Sequence, residues 1–248
     1  MTGLLVAARY LTIVPLPRGK ARPHRDALGR AAPWFPVVGL GLGFAVVVVE
    51  RASAWLFPPL LSALLTVTVW KLLTGGLHLD GLADCLDGLS GRDASHRLSI
   101  MSDSRIGAFG AIGLILFLLL EVAAVAELPA AIRWRALLVV PAIARVMPTL
   151  LARLHSAAKP DGQGAAFHDS VPWTAVPLGL GLALAGGVAL LGAAGAVVVV
   201  VACLTALALG RFMAGRLGGI TGDVLGAAVE TGELAGLLTV AAWTHAAR

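Results

Sequence analysis

Seven stretches of this chain approach or reach the length and apolar character needed to cross a bilayer: residues 34–57, 60–77, 106–126, 136–151, 173–191, 197–212 and 224–243. A hydrocarbon core of about 30 Å takes roughly 20 helical residues. The expected fold is therefore all-α, a polytopic integral membrane protein with about seven transmembrane helices and polar connecting loops. Composition supports this. Hydrophobic residues make up 58% of the 248 positions and charged residues 13%, with a mean hydropathy of +0.88. Ordinary soluble domains carry about a quarter charged residues, so a soluble globular chain is excluded. Thirty glycines with 6% aromatics suit close packing of helices in lipid. Gly39, Gly41 and Gly43 belong to that packing, since no strand precedes them to make a nucleotide loop.

The chain reads as one membrane domain, 1–248, with residues 1–32 as a cytoplasmic or interfacial amino segment. Its apolar start, Gly3 to Val14, is interrupted by Arg9 and closed by Pro15 and Pro17, too short to span. Arg18, Lys20, Arg22, Arg25 and Arg30 follow, a block held in the cytoplasm by the positive-inside rule or used to bind an anion. No cleavable signal peptide is expected, because the first span begins only after this block. A net charge of +5 sits in short loops between spans, which points to topology and phosphate chemistry and to no nucleic acid. Cys85 and Cys203 give neither a disulfide framework nor zinc spacing and read as packing residues.

The densest polar motif is Gly75-Gly76-Leu77-His78-Leu79-Asp80-Gly81-Leu82-Ala83-Asp84-Cys85-Leu86-Asp87-Gly88. Only fourteen Asp and Glu occur in the chain, yet three fall within eight positions here. On a helix turning about 100° per residue, Asp84 lies roughly 40° from Asp80 and Asp87 about 20° to its other side. Three carboxylates on one stripe repel unless a cation lies between them, and a hard divalent ion with oxygen ligands is the usual answer. No Lys or Arg is interspersed at helical spacing, as it would be on a solvated face.

Ser102, Asp103, Ser104 and Arg105 lead into Ile106, Gly107 and Gly110 at the start of the third span. A helix N-terminus with free N–H groups and an Arg fork is a site for phosphate, although a simple N-cap also uses Ser or Asp. Arg133 and Arg135 mark the connection into the fourth span, with Pro141 and Pro148 as tolerated kinks. Arg145, inside that span, is expected to be salt-bridged or functional. The loop 153–172 holds Arg153, His155, Lys159, Asp161, Gly162, Gly164, His168 and Asp169, at spacings that exclude a compact zinc site. The connection 211–223 ends in Thr221, Gly222 and Asp223, and Glu230 and Glu233 enter the last span. Acids at that depth are too costly to be a bland face. Seven crossings from a cytoplasmic amino end put loops 78–105, 153–172 and 211–223 on the cytoplasmic face, the pattern of an enzyme working at the membrane surface.

Residues 75–88, Asp103 to Gly107, and 218–228 with Glu230 and Glu233 resemble the cobalamin synthase family, the adenosylcobinamide-GDP ribazoletransferases. Residues 11–17 and 33–39 also resemble that family's amino end; the likeness is weakest over 111–215. The resemblance implies a transfer of the cobinamide-phosphate group from adenosylcobinamide-GDP to α-ribazole or its 5′-phosphate. GMP leaves, Mg²⁺ is the cofactor, and the place is the cytoplasmic membrane. On that basis Asp80, Asp84, Asp87 and Asp103 are the expected metal ligands and catalytic acids. Asp87 or Asp103 is the expected acceptor of the ribose hydroxyl proton, with His78 as an alternative base or a partner of the ligands. Arg105, Ser104, Gly107, Arg145, Thr221, Asp223 and Glu230 are the expected substrate contacts. Partners are the two small molecules and membrane lipid; a homo-oligomer is left open.

Two other readings stand beside it. A CDP-alcohol-phosphotransferase-like enzyme would share the chemistry, but Asp84 stands where that family's motif has Arg. A proton-coupled transporter would use Glu230, but it predicts repeated halves and none is visible.

Overall fold

The computed structural model describes residues 3–16, 26–159 and 163–247. Most of the basic block, at 18–25, and Asp161 and Gly162 lie outside the described residues. Arg30, its last member, is exposed and 3.8 Å from Asp26.

The chain is helical almost throughout, with no strand among the described residues beyond one isolated bridge. In order the helices are α1 (Gly3–Leu11), α2 (Ala27–Arg30), α3 (Phe35–Leu56), α4 (Pro59–Leu73), α5 (Leu77–Gly88), α6 (Ala94–Ile100) and α7 (Ala108–Glu127). Then come α8 (Ala130–Ala144), α9 (Met147–Leu154), α10 (Gln163–Ser170), α11 (Ala175–Leu191), α12 (Ala193–Leu217) and α13 (Gly222–Ala246). Five segments are long and apolar enough to cross a membrane: Ala32–Leu56, α7, Ala130–Leu154, α12 and α13. Two helix pairs, α4 with α5 and α10 with α11, bend by 91° at a short break; counting each as one span gives seven. The protein is thus an all-α polytopic membrane protein, as its apolar runs require.

α13 is the central post, packed against α12, α5, α8, α7 and α9. Gly232 and Gly236 let it approach Ala144, Met147 and Val140 closely. The outward faces of α3, α7 and α12 carry exposed Phe44, Val48, Ile112, Leu116, Leu119, Val200 and Leu204. In a hydrocarbon solvent these faces carry no penalty.

Two boundaries differ from expectation. α8 begins at Ala130, so Arg133 and Arg135 lie within a helix and not in a connection. Arg133 is buried; its guanidinium donates to the carbonyls of Ala126 and Leu128 and to Glu50 Oε1 at 3.2 Å. It satisfies carbonyls at the end of α7, which lets α8 start directly after Pro129. The third long helix starts at Ala108, so Ser102 to Arg105 form an irregular segment ahead of it and not its first turn.

Candidate active site

The turn from α4 into α5 rests on Gly75 and Gly76, with φ of +65° and +70°. Any side chain there would be strained, and the two glycines carry the chain through its right-angle bend. α5 then holds the acid stripe expected from its spacing. Asp80 is exposed, Asp84 half-buried and Asp87 buried, while Leu82 is buried beneath them. A Cβ on Gly81 would come within 2.7 Å of the Asp223 carbonyl, so α5 lies directly against the start of α13. The charges acting on Asp84 are those of Asp223, Asp80 and Asp87. Four carboxylates from two helices therefore meet at one end of the bundle.

They are not equivalent. Asp87 Oδ2 accepts the Gly107 N–H at 2.7 Å and Oδ1 accepts the Gly110 N–H at 2.8 Å. Asp87 caps α7 from another helix and favours its positive end. Side chains at Gly107 or Gly110 would collide with that carboxylate, which explains both glycines. Asp103 is bound by Arg105, whose Nε and Nη2 reach its two oxygens at 3.0 and 2.6 Å. Hydrogen bonds from Arg105 hold the Asp103 carboxyl down to about 2, so it stays ionised at neutral pH. Both side chains and Ser104 are exposed beside α5.

The polar loops converge here. Ser156–Ala158 pairs with Ile220 through two backbone hydrogen bonds of 2.8 and 2.9 Å. Lys159 Nζ donates to Ser102 Oγ at 2.7 Å, and Arg97 Nη1 to the Arg216 carbonyl at 3.4 Å. An open cavity of about 730 Å³ is lined by Asp80, Asp84, Ser102, Asp103, Ser104 and Arg105. A second cavity of about 310 Å³ shares Leu77 and Asp80 with it and includes Tyr10, Phe35, His78, Phe167, Thr221 and Asp223. Thr221 caps α13, accepting from the Val224 N–H at 3.3 Å and donating to Asp223 Oδ2 at 3.1 Å.

The remaining expected contacts lie elsewhere. Arg145 and Glu230 are fully buried and line neither cavity. Lys71 Nζ bonds Glu230 Oε2 at 2.6 Å and Glu233 Oε2 at 3.0 Å, and is 2.9 Å from Glu121 Oε1. Arg145 Nη1 donates to Glu233 Oε1 at 2.7 Å and to the Pro141 carbonyl at 2.9 Å. Arg145 is thus salt-bridged within the core. His78 is buried between this network and the smaller cavity, its Nδ1 without a hydrogen-bond partner. Lys71 and Glu121 escaped the sequence reading, although each interrupts an apolar run, the signal that singled out Arg145.

Among the described residues, the one trio of acids that brings one oxygen each within 4.8 Å of the others is Glu121, Glu230 and Glu233. The Lys71 ammonium already sits among them, 2.9, 2.6 and 3.0 Å from Glu121, Glu230 and Glu233, where a metal ion would have to lie. The aspartates around α5 make no such cage. Mg²⁺ needs none, since it is usually held by one or two carboxylates, water and substrate phosphates. Asp80 and Asp84, all-oxygen donors facing the open cavity, suit that mode.

Residues 3–241 match the family model described as cobalamin-5-phosphate synthase. Curated relatives named adenosylcobinamide-GDP ribazoletransferase are similar over nearly full length. The protein of Geotalea daltonii is 36% identical, covering 96% of each chain. That of Brevibacillus brevis is 36% identical over 98% of this chain and 99% of its own. That of Ralstonia nicotianae is 40% identical over 97% and 95%. No solved structure matches this chain significantly.

Proposed function

The chain belongs to the cobalamin-5-phosphate synthase family, and from that premise we propose that it is an adenosylcobinamide-GDP ribazoletransferase. The cobinamide-phosphate group passes from adenosylcobinamide-GDP to a ribose hydroxyl of α-ribazole or its 5′-phosphate. A P–O bond to that hydroxyl forms, the anhydride P–O bond breaks, and GMP departs with the bonding electrons. The observation that carries this reading is the open cavity in which Asp80 and Asp84 face Asp103 and Arg105. Acids able to hold a hard cation and a guanidinium able to fork onto phosphate line one space, as a diphosphate substrate requires.

Asp80 and Asp84, with Asp103, are the proposed Mg²⁺ ligands. An ion held by these residues would supply charge neutralisation for the diphosphate. Arg105 orients the diphosphate from the rim. Asp87 positions the stripe by tying α5 to the start of α7. The hydroxyl proton passes to a carboxylate of the smaller cavity; Asp223, held at the head of α13 by Thr221, is the proposed acceptor. The site faces the cytoplasm of a cytoplasmic membrane in this reading, supported by Arg92, Arg97, Lys159 and Arg216 on that same end of the bundle.

The test is product identity. Purified protein in liposomes, given adenosylcobinamide-GDP and α-ribazole with Mg²⁺, should yield a species of the mass of adenosylcobalamin. Recovery of both substrates unchanged would overturn the assignment.

A further inference from the structure

The two cavities flanking Asp80 differ in chemistry. The open one presents Arg105 and two serine hydroxyls beside its acids. The smaller one is walled by rings: Phe35 and Phe167 stack with centroids 5.7 Å apart and planes 13° from parallel. Both are nearly fully buried, so they form a fixed wall and not a mobile flap. Tyr10, on the amino-terminal helix α1, adds a third ring. Partial burial, and then the charge of Asp223, push its phenol above the ordinary value, so the ring stays neutral. Leu11, Ala165 and Leu225 add apolar lining, and Asp80, Asp223 and Lys159 are its charged residues.

We propose that this ring-walled cavity binds the flat heteroaromatic base of the ribazole acceptor, leaving its ribose at Asp80 and Asp223. The inference rests on the transferase reading above and adds where the acceptor lies. Three features support it. A volume of about 310 Å³ falls at the lower end of small-molecule sites and suits a nucleoside, whereas a corrin macrocycle needs more room. Stacked aromatic walls favour a planar base, whichever its hydrogen-bonding edge. Charge sorts the two substrates: Lys159 partly offsets Asp80 and Asp223 in the smaller cavity, which suits an acceptor ribose with or without its 5′-phosphate, whereas a diphosphate gains most from Arg105 in the other cavity. Donor and acceptor then approach α5 from opposite sides and meet at Asp80, which both cavities share.

The test splits the two Michaelis constants. Phe167→Ala and, on the more accessible α1, Tyr10→Ala remove ring surface without touching Asp80, Asp84 or Arg105. Each should raise KM for α-ribazole, about tenfold for Phe167→Ala, and leave KM for adenosylcobinamide-GDP within twofold. Equilibrium dialysis of α-ribazole against wild-type protein in detergent, with no donor present, should show saturable binding that both variants weaken. A raised KM for the donor alone would mean that the cavity holds the guanine, and unchanged constants for both would mean that it holds neither substrate. Either result overturns the proposal. If Phe167→Ala does not fold, Tyr10→Ala and dialysis decide. A wild type that binds α-ribazole through these rings yet transfers nothing would defeat the transferase reading and keep the site. An active wild type whose α-ribazole binding ignores both substitutions would do the reverse.

Discussion

The Asp87 carboxylate on α5 accepts the backbone N–H of Gly110 on α7 at 2.8 Å, and its other oxygen accepts that of Gly107. An acid that looks like one of three equal ligands in the sequence is a cap holding two helices together. Asp84 and Asp80, one and two turns earlier on the stripe, remain open to the cavity.

Asp87→Asn should therefore act on stability. An amide offers one acceptor oxygen where two are used, and its NH₂ would face an N–H. Loss of a buried charge-assisted bond costs ~1.5–3 kcal/mol. Thermal unfolding in detergent should show a lowered midpoint for Asp87→Asn and a wild-type midpoint for Asp84→Asn. Equal midpoints for all three proteins would remove the capping role.

Lys71 should be the most sensitive position in the core. Among the described residues it alone contacts all of Glu121, Glu230 and Glu233, and Lys71→Met would leave those carboxylates with only Arg145, paired to Glu233, as a near cation there. Breaking a buried pair from one side typically costs ~3–5 kcal/mol. Folded yield should collapse for Lys71→Met and recover in part when Glu230→Gln is added. A single variant as stable as wild type would show that the network bears little of the fold.

Much of this architecture was legible because its signals are local. Apolar runs marked the spans, and helical spacing placed Asp80, Asp84 and Asp87 on one stripe. Counting crossings brought loops 78–105, 153–172 and 211–223 to one end, where Ala157 pairs with Ile220 and Lys159 with Ser102. What escaped depends on partners distant in sequence. Periodicity says which way Asp87 points and not that Gly107 and Gly110 wait there, 20 and 23 residues on. Lys71 and Glu230 lie 159 residues apart. Arg133 reads as a loop charge because two arginines between apolar runs resemble a connection, yet the carbonyls of Ala126 and Leu128 draw it inward. Tyr10 and Phe167 carry no motif; only packing brings them to Phe35.

Arg105 tests the phosphate assignment. It is exposed and its fork is engaged with Asp103. Arg105→Lys keeps the charge but loses the planar geometry, so it should lower kcat/KM for adenosylcobinamide-GDP by about tenfold or more, as should Arg105→Ala. Full activity in Arg105→Lys would instead assign the residue to anchoring at lipid headgroups, where either cation serves.

Topology can be read by labelling single cysteines in a Cys85→Ala, Cys203→Ala background. Arg92→Cys and Gly215→Cys fall at exposed positions on the site's end of the bundle, and Ala193→Cys at the opposite end of α12. The first two should react from the cytoplasmic side and the third from the other. Labelling of Arg92→Cys and Gly215→Cys from different faces would break the single-site arrangement.

The most direct test of the account is release of GMP from adenosylcobinamide-GDP in the presence of α-ribazole, followed with Mg²⁺, with EDTA, and in Asp84→Asn. The account predicts steady release by wild type that EDTA abolishes and added Mg²⁺ restores, with none from a folded Asp84→Asn protein. Release that persists in EDTA, or near-normal turnover by Asp84→Asn, would contradict a metal-assisted transfer at the α5 acids.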